Sequence, residues 1–248
     1  MRKPIITTKL NVKSKDKELL NNKQLADILY GKKVKIRCKN EKQKDFIKII
    51  DSNQISICIG PAGVGKSYIS IIKALQLLAD SSNNYHNIYI ITPAVESEEK
   101  LGYLPGDLED KLEPYLYSTY KLIDKIIGIE NRKKLVESEI IKPLALAYLR
   151  GWNIDNSILI FEEAQNCTPK QMKTVLTRIG FNSKFIISGD LEQTDRYNKK
   201  NSSGLYDAFT LMKGAKGVGV YEFIVDRPED IVRNPIIAGI LQRYDLKD

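Results

Sequence analysis

Apolar and polar residues alternate strictly across Gln54-Ile55-Ser56-Ile57-Cys58-Ile59, the period of two that a β-strand imposes, and the run ends on Gly60-Pro61-Ala62-Gly63. Directly after it, residues 68–78 form an apolar stretch too long for a strand, which predicts a helix packed between two layers. Upstream, Asn40 suits a helix N-cap, and Phe46, Ile47, Ile49 and Ile50 share one helical face. The alternation then repeats. Strands are predicted at 87–92, halted by Pro93, at 157–161, at 184–188 and at 219–224. A helix runs from Thr168 to Arg178 with Pro169 at its first position, and a last helix begins near Pro228. Residues 95–150 are predicted mostly helical, with Tyr115, Leu116, Tyr120, Ile123 and Ile127 on helical spacing, interrupted by the turn-rich stretch Gly102–Gly106. Short apolar strands alternating with helices indicate a parallel sheet covered on both faces, an α/β domain spanning residues 38–248. Residues 1–37 read as a polar, lysine-rich extension, partly helical through Leu19, Leu20, Leu25, Ile28 and Leu29.

Composition narrows the chemistry. A chain of 248 residues that is 42% hydrophobic can bury its core without disulfide or metal staples. Three scattered cysteines and a single histidine, His86, exclude a tetrahedral zinc centre and disfavour Ser-His-Asp or Cys-His catalysis. The sparse, odd thiol count fits a reducing compartment, so a cytoplasmic location is expected. Neither a signal peptide nor a membrane span is expected, because no run approaches 18 apolar residues. The net charge of +8 is uneven: residues 1–50 hold 15 Lys/Arg against 5 Asp/Glu, and the remainder is nearly balanced. Such a basic arm attracts phosphate backbones without sequence preference, or simply forms a solvated surface.

Gly60-Pro61-Ala62-Gly63-Val64-Gly65-Lys66-Ser67 matches G-x-x-x-x-G-K-[ST] without departure, after a strand and before a helix. In that context the glycines let the backbone curl around an anion with its N–H groups inward, and the following helix adds the positive end of its dipole. Lys66 supplies a point charge for β- and γ-phosphates, and Ser67 a hydroxyl for Mg²⁺. The loop from Gly60 to Ser67, with Tyr68 behind it, is therefore the candidate nucleotide-binding set.

Ile158-Leu159-Ile160-Phe161-Glu162-Glu163 puts two carboxylates at the C-terminal end of a strand, the sheet edge where ligands sit. One, Glu162, can hold Mg²⁺ directly or through water, while Glu163 positions or deprotonates an attacking water. The next strand ends similarly in Ser188-Gly189-Asp190-Leu191-Glu192-Gln193, and the Gln193 amide suits sensing of a γ-phosphate.

Taken in order, these motifs resemble the PhoH-like ATPase family, P-loop NTPases similar to the N-terminal RecA-like domain of superfamily 1 helicases. The resemblance runs from about Gln43 to Tyr244. Beyond the loop it rests on Pro93-Ala94-Val95-Glu96, Leu101-Gly102-Tyr103-Leu104-Pro105-Gly106-Asp107-Leu108, Glu163-Ala164-Gln165-Asn166, Leu176-Thr177-Arg178-Ile179-Gly180, Gly189-Asp190 with Gln193, and Asp230-Ile231-Val232-Arg233-Asn234-Pro235. It implies a RecA-like fold, binding and hydrolysis of ATP with Mg²⁺, and association with single-stranded RNA or DNA. It also implies that Gln43 occupies the position that reads adenine. Departures are Glu162 where Asp is usual, Thr92 where Arg is usual, Val64 and Ser67 in place of Thr, and Asn234 in place of His. No appended nuclease domain, of the kind some relatives carry, is expected in 248 residues.

Phosphoryl transfer from a P-loop draws on a positive group at the γ-phosphate. With one RecA-like domain in the chain, that arginine is expected from a neighbouring subunit, which implies a homo-oligomeric ring, a hexamer being the natural closure. Arg233, Arg178 and Arg196 are the candidates, Arg233 foremost because it lies in the family-specific motif. Lys100 and Tyr103 are candidates for gripping a nucleic-acid strand. Two functions fit: an ATPase acting on single-stranded nucleic acid, and a nucleotide-dependent switch with little turnover that acts through a protein partner.

Overall fold

The computed structural model describes residues 27–29, 34–93, 108–194, 203–234 and 236–245. Six strands, β1 (Ile55–Ile59), β2 (Asn87–Ile91), β3 (Ile141–Pro143), β4 (Ser157–Phe161), β5 (Lys184–Gly189) and β6 (Val218–Glu222), form one sheet in the order β3-β2-β4-β5-β1-β6. Every pairing is parallel. The helices are α1 (Glu41–Ser52), α2 (Lys66–Ala79), α3 (Leu108–Ile127), α4 (Ile129–Glu137), α5 (Pro169–Leu176), α6 (Gly204–Leu211) and α7 (Ile236–Asp245). This is the α/β architecture of a RecA-like P-loop domain, as the sequence indicates.

The period of two sorts each strand between two apolar layers. From β4, Ile158 and Ile160 enter one layer with Phe46 and Ile50 of α1, Ile69 and Leu75 of α2, and Ile123 of α3. Leu159 and Phe161 enter the other, against Met172 and Val175 of α5 and Leu205 and Phe209 of α6. β1 and β4 are buried along their whole length, which is why they read as short, nearly continuous apolar runs. Because all strands run the same way, the C-terminal ends of β1, β4 and β5 open on one edge. β5 lies between β1, which feeds the glycine loop, and β4, which feeds the acidic pair. Glu163 and Asp190 both line a cleft at that edge.

Helix ends follow their capping residues. Asn40 accepts from Gln43 N and caps α1. Thr168 and Gln171 form a reciprocal capping box on α5, with Pro169 in the first turn. A buried cation finishes α1 at its other end: Lys184 Nζ donates to the carbonyls of Ile50 and Asn53. Its ammonium is matched to the negative end of the helix.

Three elements differ from the sequence reading. β3 is a strand within the stretch expected to be helical; it pairs with β2 for three residues and stops at Pro143, which can serve only at an edge. α6 is a short helix started by Ser203, whose hydroxyl accepts from Tyr206 N. The last helix begins at Ile236, not near Pro228. Pro228–Asp230 is a single 3-10 turn, because Asp230 Oδ2 accepts from the N–H groups of Asp226 and Arg227 and closes it.

The N-terminal stretch contributes to the core. Ile28 and Leu29 are buried in the first layer, and Val34 and Ile36 pack against it. Gln76 Nε2 donates to Val34 O at 2.7 Å and ties this stretch to α2. Leu29, 1% exposed, is therefore expected to act as a core residue. Leu29→Ala should cost about 2–5 kcal/mol in urea denaturation, whereas a change in a solvated tail would leave the midpoint unmoved.

Candidate functional site

The loop between β1 and α2 is built by its glycines. Gly63 and Gly65 have φ of +89° and +96°, in the left-handed region, and Gly65 is the N-cap of α2. A Cβ on Gly65 would meet Gln43 Nε2 at 2.6 Å, so a side chain there would displace the amide that holds the loop. Ile69 N makes the first helical return, to Gly65 O at 3.0 Å. Among the described residues, the N–H groups of Gly63, Val64, Gly65, Lys66 and Ser67 find no protein acceptor. Five convergent donors at a helix N-terminus make an anion cradle.

Lys66 Nζ donates to Gly60 O at 2.6 Å and to Pro61 O at 2.9 Å, arching back over the loop. Burial pushes its pKa below the ordinary lysine value, Asp190 opposes that shift, and the positive charge of Arg233 adds to it. The loop is fixed from two sides. Gln43 Nε2 donates to Val64 O at 2.9 Å while its Oε1 accepts from Lys39 N at 2.9 Å. Val232 N donates to Gly63 O at 2.9 Å.

Glu162, at the end of β4, is buried, and Thr119 Oγ1 of α3 donates to its Oε2 at 2.8 Å. Its Oε1 is buried without a hydrogen-bond partner. Burial raises the Glu162 pKa above the usual carboxylate range, although the Ser67 and Thr119 hydroxyls work against the rise. Glu162 also lines a small cavity of about 350 Å³, with Ser67, Thr92, Ser118, Thr119, Glu163 and Arg233 among others. An unpartnered carboxylate oxygen beside a serine hydroxyl suits a hard cation. Among the described residues no group of three or more His, Cys, Asp or Glu could hold a metal alone. Such a cation would take its remaining ligands from water or substrate oxygens, as Mg²⁺ does.

Glu163 is exposed at the sheet edge with φ +51°, a left-handed conformation that a glutamate adopts only where its surroundings insist. Gln165 supplies that constraint. Its Nε2 donates to Glu163 Oε2 at 2.7 Å and to Gln193 O at 3.3 Å, while its Oε1 accepts from Asp190 N at 3.1 Å. One buried amide thus locks the end of β4 to the end of β5. Gly189 makes room for it, since a Cβ there would collide with Gln165 Oε1. Asp190 is buried next to Lys66, and burial raises its pKa while Lys66 opposes the rise.

A larger cleft of about 1050 Å³ connects these parts, lined by Gln43, the loop, Tyr68, Glu163, Asp190, Gln193 and Arg233. Arg37, Lys39, Lys121 and Lys125, with Ile72 and Ile126, line the same cleft and make part of its wall basic and apolar. Arg233 lines both cavities.

A family model described as PhoH-like protein matches residues 35–245. The chain belongs to the PhoH-like family. The PhoH-like protein of Bacillus subtilis is 41% identical over 210 residues, 85% of this chain and 64% of the relative. That of Synechocystis is 40% identical over 210 residues, 85% and 62% of the two chains. Protein PhoH of Escherichia coli K12 is 34% identical over 211 residues, 84% and 58%. The chain thus spans about three-fifths of the length of these curated relatives.

Of the residues expected at a PhoH-like site, Ala62, Gly63, Gly65, Lys66 and Ser67 of the loop line these two cavities with Tyr68, Gln43, Glu162, Glu163, Gln193 and Arg233, while Gly60, Pro61 and Val64 of the loop line neither. The Gln43 amide is partly engaged by the loop, with one N–H and one lone pair left over. Lys100, Tyr103 and Arg196 lie outside the described residues. Arg178 sits at the opposite sheet edge, where its carbonyl accepts from Ile154 N ahead of β4. Thr119 and Ser118 of α3 join the site without any signal in the sequence, because a Ser or Thr within a helix is unremarkable. Asp190 and Gln165 lie in motifs visible in the sequence, but the contacts they make join two strand ends and have no local pattern.

Glu162 binds its proton more tightly when folded than when unfolded, so the folded state loses stability as pH rises through that window. Burial makes the ionised carboxylate a standing cost to the folded state. Glu162→Gln keeps an acceptor for Thr119 and removes the charge. It is expected to match or exceed wild-type stability, by about 1–3 kcal/mol, with the gap closing on acidification towards the ordinary carboxylate range. Thermal melts across that pH range check it, and a variant clearly less stable at neutral pH contradicts the assignment.

Proposed function

We propose that this PhoH-like chain binds ATP with Mg²⁺ and hydrolyses it, coupling turnover to single-stranded RNA or DNA. The observation that carries the reading is the set of unpartnered loop N–H groups converging with Lys66 at the start of α2. Three phosphates match it in charge and shape. Mg²⁺ would be held by the Ser67 hydroxyl and Glu162 and would neutralise charge on the β- and γ-oxygens. Gln43 and Tyr68, on the cleft wall, suit contact with the base.

Hydrolysis then follows from the carboxylate geometry. The oxygen of a water, oriented by Glu163, forms a bond to the γ-phosphorus. The bond from that phosphorus to the bridging oxygen breaks, and its electron pair stays on ADP. The water proton passes to Glu163 and on to the released phosphate. Gln165 holds Glu163 for this task and holds the backbone of Gln193 beside it, so one amide links the base to the γ-phosphate sensor. The rate term expected of a positioned base is about 10²–10⁴-fold.

The basic rim supports the nucleic-acid half of the reading. Lys35, Arg37 and Lys39 alternate along an extended stretch whose other face, Val34, Ile36 and Cys38, packs on the core. Lys121 and Lys125 of α3 line the same cleft. This paired basic surface fits a phosphate backbone with sequence-independent, salt-sensitive affinity. One observation favours the switch reading: Glu162 is buried, and burial disfavours the ionised form that a cation would need. Proteins read by a partner need only the bound and free states to differ.

Steady-state turnover with and without single-stranded RNA separates the two readings. For an RNA-coupled ATPase, RNA raises the rate, the effect fades with salt, and Lys66→Ala abolishes nucleotide binding. Glu163→Gln should lower turnover about 10²-fold or more while ATP still binds. Tight ATP binding with negligible, RNA-independent turnover favours the switch. Absence of any ATP binding by the wild-type chain refutes both.

A further inference from the structure

The expectation of a ring rests on an arginine arriving from a neighbouring subunit. Arg233, the foremost candidate, is exposed and lines the cleft of its own chain. It lines the small cavity with Ser67, Glu162 and Glu163, and the large one with Lys66 and Gln193. Its charge is felt at Lys66. Among the described residues its guanidinium makes no hydrogen bond or ion pair, although carboxylates stand within the same cavities. The unpaired guanidinium and the half-buried Lys66 ammonium line one cleft, and their like charges repel each other until a polyanion enters it.

The backbone on both sides of Arg233 is fixed. Before it, Ile231 is buried in the core, Val232 N donates to Gly63 O at 2.9 Å, and Val232 O accepts from Lys39 Nζ at 3.1 Å. Earlier still, Lys42 Nζ of α1 bridges Asp230 Oδ2 at 2.6 Å, Asp226 Oδ2 at 2.7 Å and the carbonyl of Ile224 at 2.5 Å. Asp230 in turn closes the 3-10 turn through two N–H groups. After it, Asn234 Oδ1 accepts from Ile236 N, and α7 begins. Residues 224–234 form a strap fastened to α1 and to the loop itself, so the position of Arg233 is registered against Gly63.

We infer that Arg233 supplies the positive charge to the γ-phosphate of the nucleotide bound by its own chain, and that Lys42, through Asp230, is a positioning residue for it. This rests on the ATP-binding reading above. Arg233 donates to the γ-oxygens as charge builds on them during breakage of the bond to the bridging oxygen, and it exchanges no proton. A neighbouring subunit then has no part in the chemistry, whatever the oligomeric state.

The test is complementation between two dead sites. Arg233→Ala and Lys66→Ala, carrying different tags, are co-expressed and purified through both tags, and the mass of wild type is measured by light scattering. With Arg233 acting in its own chain, the doubly tagged assembly shows no turnover above that of either variant. If wild type is a monomer that turns over, that alone supports the inference. Restored turnover in the mixed assembly overturns it, because a Lys66→Ala chain would be lending its arginine to an intact loop next door. Arg233→Ala by itself should lower kcat by about 10³-fold or more, and its preference for ATP over ADP should fall while ADP affinity holds. An unchanged ATP-to-ADP preference overturns the inference even where wild-type turnover is negligible, and failure of wild type to bind ATP refutes the underlying reading instead. Lys42→Met should lower kcat with KM little changed, and Lys42→Arg should restore it. A loss in Lys42→Met that Lys42→Arg does not rescue removes Lys42 from the positioning role.

Discussion

Two hydrogen bonds decide the shape of the site: Gln43 Nε2 to Val64 O, and Val232 N to Gly63 O, both at 2.9 Å. Each fixes a loop carbonyl on a partner outside the loop. In a trans peptide the N–H points opposite to the carbonyl of the same unit, so fixing these carbonyls also fixes the N–H groups of Val64 and Gly65, and the left-handed Gly63 and Gly65 let the chain make that turn. The donors come from α1, before the loop in sequence, and from a strap near the C-terminus. The anion cradle is therefore a tertiary structure, preorganised by distant segments rather than by eight consecutive residues. Preorganised donors need no rearrangement when charge arrives, which is where electrostatic stabilisation is strongest.

That cradle sits among ionisable groups which the fold keeps out of water. Glu162 and Asp190 are pushed up by burial, and Lys66 is pushed down. Each shift is a cost the folded state carries, and the opposing charges of Lys66 and Asp190 offset part of it. The same pattern, burial with an opposite charge nearby in a cleft, is how proteins tune groups for phosphoryl chemistry. The stability for it comes from the two apolar layers, where β1 and β4 are buried end to end. The belt of Ile, Leu and Phe on either face allows the sheet edge to be polar, strained at Glu163 and still well defined.

Much of this was legible because it is local. The alternation of 54–59 and the apolar run of 157–161 name their strands, and Thr168-Pro169 names the start of a helix. The loop, the acidic pair and Gln193 could be read because each lies at a strand end, and a parallel sheet gathers such ends on one edge. What escaped depends on packing. Three residues of β3 hold no period, and their pairing with β2 is decided by the edge they lie on. Pro228 signals a helix start, yet Asp230 spends its carboxylate on closing a single turn, and the helix waits until Ile236. Thr119 meets Glu162 across 43 positions because α3 packs over the end of β4. The spacing of Ile28 and Leu29 suggested a helix, but docking of that stretch on the core is not a property any local pattern carries.

Hydrogen–deuterium exchange of the wild-type chain, with and without Mg²⁺ and ATP, tests the cradle most directly. The amides of Gly63 to Ser67, without protein acceptors, should exchange quickly in the free protein and become selectively protected on addition of nucleotide, while the buried amides of β4 change little. Equal exchange of those loop amides at saturating nucleotide would mean that the loop does not hold phosphates.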